Sequence, residues 1–66
     1  MKIQLNGEPY ESPEEMTVGG LLQRLEIHDG RVAVELNLEI LPKDKYATTA
    51  LREDDRVEVV HFVGGG

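Results

Sequence analysis

The chain has 66 residues, no cysteine, and 13 acidic against 7 basic residues, for a net charge of −6. That length holds one domain with a small core and no deep pocket, and without cysteine there is no disulfide framework, thiolate metal site or cysteine nucleophile. The acidic balance repels a phosphate backbone, which argues against nucleic acid as a partner, and no apolar run approaches the roughly 18 residues that span a bilayer. These features, with a charged N-terminal stretch lacking a signal-peptide core, predict a cytoplasmic protein that meets no membrane.

In chain order, "KIQLNGEPYES" reads as a hairpin. Ile3 and Leu5 alternate with Lys2 and Gln4, Asn6-Gly7 is the favoured pair for a type I′ turn, and Pro9 puts the returning strand, Glu8 to Ser12, at a sheet edge. Pro13 and two glutamates break the pattern. Thr17 then caps a helix of about nine residues in which Val18, Leu21, Leu22 and Leu25 form one apolar stripe, ending before the turn signal Asp29-Gly30. Gly19-Gly20 is no phosphate-binding loop, since no strand precedes it and no Lys-Ser/Thr follows; it suits close packing of the helix start on the sheet. "RVAVELN" alternates again, Asn37 marks a tight turn, and "LEIL" is a short strand ended by Pro42. "KDKYATTAL" has no period and reads as a loop with one helical turn near Lys43 to Tyr46. "REDD" is a charged turn, and "RVEVVHFV" is the last and strongest strand.

Strand, strand, helix, strand, short strand, loop, strand predicts an α+β fold. Its mixed sheet of four to five strands has one main helix on one face, and the last strand lies beside the first in the middle. That arrangement is a β-grasp. The expected division is one domain over residues 1–63 and a flexible glycine tail, Gly64, Gly65 and Gly66.

The last strand has two faces. Val57 and Val59, with His61 and Val63, point to the core side; Arg56, Glu58, Val60 and Phe62 point to the other. Arg56 and Glu58 make that second face the solvent face, so Val60 and Phe62, with Ala33 of the third strand beside them, form an exposed apolar patch suited to docking. The competing reading folds Phe62 over the sheet edge or under the "KDKYATTAL" loop. His28, His61, Glu14-Glu15 and Glu53-Asp54-Asp55 belong to no ligand or catalytic motif and read as surface histidines and solvated turn charges.

The tail is either a frayed end or cloning remnant, or a working arm. In the second case its reactive group is the terminal carboxylate of Gly66, which becomes an electrophile if it attacks the α-phosphate of ATP to form an acyl-adenylate. Glycine presents no side chain to a narrow partner channel and no β-carbon beside the carbonyl under attack.

Across essentially its whole length the chain resembles the ThiS family of ubiquitin-like sulfur carriers. "IQLNGE", "TVGGLLQRL", "AVELNLEILPKDKY" and above all "LREDDRVEVVHFVGGG" carry the resemblance. It implies that an ATP-dependent adenylating enzyme activates the Gly66 carboxylate and that sulfur, from a donor such as a cysteine desulfurase, replaces AMP to give a thiocarboxylate. Thiazole synthase then takes that sulfur for the thiazole of thiamine. The protein itself is then a carrier, not an enzyme, and binds no cofactor; ATP belongs to the partner. Gly65 and Gly66 correspond to the reactive tail, and Val60 to the exposed apolar docking position of ubiquitin-like folds. Alternatives are a carrier for molybdopterin, amino-acid or tRNA thiolation, a ubiquitin-like modifier, or an interaction domain. Asp54 stands where the family usually has glycine, and three glycines end the chain where many members have two.

Overall fold

The computed structural model describes residues 1–12 and 14–62. Pro13, the expected strand end at Val63 and the tail Gly64, Gly65 and Gly66 lie outside the described residues. Five strands, β1 (Lys2–Leu5), β2 (Glu8–Glu11), β3 (Val32–Leu36), β4 (Glu39–Leu41) and β5 (Arg56–His61), form one mixed sheet in the order β2-β1-β5-β3-β4. β1 and β5 run parallel; the other neighbours are antiparallel. The helix α1 (Val18–Arg24) supplies Val18, Leu21 and Leu22 to the core. They pack with Ile3, Val32, Val34, Val57 and Val59 of the sheet and with Tyr46 and Leu51 of the loop after β4.

The local signals explain most of this. Asn6 and Gly7 both have positive φ, 50° and 82°, which makes the tight turn of the first hairpin. Pro9 lies on β2 at the sheet edge, where its missing amide costs no ladder bond. Asn37 and Leu38 repeat the positive-φ turn between β3 and β4, with Leu38 at φ 73° standing where glycine is the usual residue. The expected short helical turn is a 3-10 turn at Lys43–Lys45.

Three expectations need correction. The helix has seven residues and ends at Arg24, rather than about nine, because Glu26 takes the left-handed region (φ 58°) and the Ile27 amide donates back to the Leu22 carbonyl at 2.9 Å, a glycine-type stop made without glycine. Gly19 packs not on the sheet but on the loop: its amide donates to the Tyr46 carbonyl at 2.8 Å, and a β-carbon there would sit 3.3 Å from that oxygen. The charges of the last turn are not merely solvated. Asp55 accepts the Arg52 amide at 2.8 Å and the Asn37 side-chain amide at 3.1 Å, and Glu53 accepts the Lys2 amide at 3.1 Å.

Asp54 takes φ 70° while its amide donates to the Lys2 carbonyl at 2.8 Å, so the residue replacing the family's glycine adopts glycine's conformation. The left-handed region costs a residue with a β-carbon about 1–2 kcal/mol. Glycine returns about 0.4–1 kcal/mol of that through the unfolded chain. Asp54→Gly is therefore expected to stabilise the fold by about 0.5 kcal/mol and to raise Tm by a few degrees, read by thermal melting.

Candidate functional site

The helix and the loop after β4 cover one face of the sheet and leave the other open. Arg56, Glu58 and Val60 alternate with buried Val57 and Val59 along β5, as the pattern predicts, and Phe62 follows on the open side. Val60 is 52 % and Phe62 61 % exposed, so Phe62 is not buried under the loop. From the loop, the Lys43 ammonium lies 5.9 Å from the ring centroid and shields part of one ring face. Ala33 is half-buried directly opposite Val60 in the β3–β5 register. Being small, it leaves the space beside Val60 open.

Ile40, not singled out from the sequence, belongs to the same face. The two-residue turn at Asn37-Leu38 sets Glu35 opposite Ile40 and Val34 opposite Leu41, so Ile40 points away from the core and is 76 % exposed. The signal was Asn37: a turn of two residues there fixes the parity of β4. Glu35 also stands directly opposite Glu58. A like-charge pair across strands destabilises a sheet, and here it sets a negative spot between Ile40 and Val60.

β5 delivers this face to the start of the tail. Phe62 is pinned by its amide to the Arg31 carbonyl at 3.0 Å, and the sequence then runs through Val63 into Gly64, Gly65 and Gly66. His61 is exposed at the end of β5, on the core-side parity but beyond the packed residues, and His28 is exposed before the 3-10 turn Asp29–Arg31. Among the described residues no three His, Asp or Glu side chains converge on a metal position. No described helix is long and apolar enough to cross a membrane. The surface hollows are shallow; one of about 300 Å³ lies along the helix beside Gln23 and His28.

A mixed five-stranded sheet with one helix on a single face, and a central strand leading into terminal glycines, defines a ubiquitin-like β-grasp protein. The family model described as ThiS family matches residues 3–66. Sulfur carrier protein ThiS of Bacillus subtilis is 38 % identical over 65 residues, covering 97 % of this chain and 98 % of that one. The crystal structure of the thiamine biosynthesis protein ThiS from Geobacter metallireducens superposes with a TM-score of 0.87 at 35 % identity, each chain covered in full. A thiazole synthase of Magnetococcus marinus is 47 % identical over all 66 residues, which make up only 20 % of its length. The chain belongs to the ThiS family.

Proposed function

We propose that this protein is the sulfur carrier of thiazole formation in thiamine biosynthesis and acts as co-substrate of its partner enzymes. A carboxylate oxygen of Gly66 attacks the α-phosphate of ATP on an adenylating enzyme of the ubiquitin-activating kind. Pyrophosphate leaves, and an acyl-adenylate remains. The outer persulfide sulfur of a donor such as a cysteine desulfurase attacks the activated carbonyl, and AMP departs with one former carboxylate oxygen. A second thiol attacks the donor's sulfur in the resulting acyl disulfide, breaking its S–S bond and leaving the donor in a disulfide with that thiol. The resulting thiocarboxylate gives its sulfur to thiazole synthase. Val60, Phe62 and Ala33, with Ile40, form the surface that holds the domain while Gly64 and Gly65 carry Gly66 into the partner's site.

The observation that carries this reading is the likeness to the Bacillus carrier over 97 % of this chain, beside a family match that runs through the glycines to residue 66. The thiazole synthase pathway is favoured because a stretch like this chain occurs within a protein named thiazole synthase. The negative spot at Glu35 and Glu58 suits a basic residue on the partner.

Incubation with ATP, the adenylating enzyme and a sulfur donor is expected to raise the intact mass by the difference between one sulfur and one oxygen. A chain lacking Gly65 and Gly66 is expected to fold with an unchanged Tm and to gain no mass. An unchanged mass for the full chain beside an active partner set, or a gain by the shortened chain, contradicts the proposal.

A further inference from the structure

β5 lies in the middle of the sheet, yet one of its sides is open over its last residues. Its backbone groups alternate between two neighbours. Toward β1, the carbonyls of Asp55 and Val57 accept the amides of Gln4 and Asn6, both at 2.9 Å. Toward β3, the Arg56 carbonyl accepts the Asn37 amide at 2.7 Å, and the Phe62 amide donates to Arg31. β1 ends at Leu5, and the Asn6 side chain stands in for its next residue, accepting the Val59 amide on Oδ1 at 2.7 Å. The next groups on that side are the Val59 carbonyl and the His61 amide, and among the described residues neither has a partner.

The outer edges of the sheet are guarded: β2 carries Pro9 between acidic residues, and β4 is three residues long and followed by Pro42. The inner edge, Val59-Val60-His61-Phe62, contains no proline, lysine or glycine to discourage pairing. It also directly precedes the tail in the sequence.

We infer that the open β1-side edge of β5 at Val59 and His61, beside the Asn6 turn, is a strand-pairing site for an extended segment of the adenylating enzyme that receives the tail. The inference rests on the carrier reading above. Main-chain pairing there aligns β5 with the partner channel while Val60 and Phe62 engage on the adjoining face.

The test removes the His61 N–H by His61→Pro, which keeps Val60 as an amide carbonyl, with replacement of the Val60–His61 amide by an ester in synthetic protein as a second variant and His61→Ala as control. The bonds to β3 belong to residues 60 and 62; His61→Pro leaves them in place, and the ester weakens only the Val60 carbonyl among them. Both variants are expected to raise KM in ATP–pyrophosphate exchange by about three- to tenfold at unchanged kcat, with Tm lowered by only a few degrees and the Ala control like wild type. In the wild-type complex the His61 amide is expected to exchange hydrogen at least tenfold more slowly than in the free protein. Unchanged KM together with unslowed exchange overturns the inference. Protection that appears in the free protein as its concentration rises makes a second copy the occupant and overturns it equally. If wild type supports no exchange with an active enzyme, the carrier reading has failed, and the assigned occupant with it.

Discussion

Phe62→Asp is expected to weaken binding to the adenylating enzyme by about 2 kcal/mol or more, roughly thirtyfold, while Tm moves by only a few degrees. The aromatic ring is 61 % exposed, so its removal leaves no cavity. Its backbone tie to Arg31 is independent of the side chain. The cation–π contact at stake, Lys43 over the ring, is worth about 0.5–1 kcal/mol at an exposed site, and an aspartate near the same ammonium recovers part of that. In a docked complex the balance reverses, because a carboxylate must be desolvated where a ring was and lies on the face that already holds Glu35 and Glu58. Titration calorimetry beside a thermal melt separates the two effects. A fall in Tm of more than ten degrees with unchanged affinity would make Phe62 a structural residue.

The fold was legible wherever one residue type has one conformational use. Asn6-Gly7 specifies its turn, Pro9 excludes a central strand, and the alternation of β5 assigns both faces before any partner strand is known. The exposure of Val60 and Phe62 followed from that alternation alone. The helix end was hidden because Glu26 adopts a left-handed conformation that glycine usually announces. Ile40 was hidden because three residues are too few to show a period, so its face depends on a turn length set by Asn37 and a strained Leu38. The loop after β4 was the largest omission. Its polar, aperiodic sequence conceals Tyr46 and Leu51, each nearly fully buried, because a loop contributes to a core through single residues and not through a repeat.

Tyr46→Ala should therefore damage this protein more than the loss of any exposed residue. Tyr46 is 4 % exposed within the core cluster, and truncating a buried aromatic costs about 3–5 kcal/mol. At about 0.05–0.15 kcal/mol per residue, a chain of this length has total stability of the same order. The ring also holds the loop where two of its carbonyls serve the helix: Tyr46 accepts the Gly19 amide and Thr49 the Val18 amide, while Thr17 Oγ1 caps Gly20 at 3.0 Å. A helix of seven residues with two glycines in its first turn does not form unaided, so releasing the loop removes acceptors that its start requires. Tyr46→Ala is expected to be largely unfolded at 25 °C by circular dichroism, and in stabilising osmolyte the Val18 and Gly19 amides should exchange faster than those of β3 and β5. Tyr46→Phe keeps the ring and is expected to melt within a few degrees of wild type. If Tyr46→Ala melts like Tyr46→Phe, the loop is a passive connection, and the helix start is held by Thr17 and the apolar stripe alone.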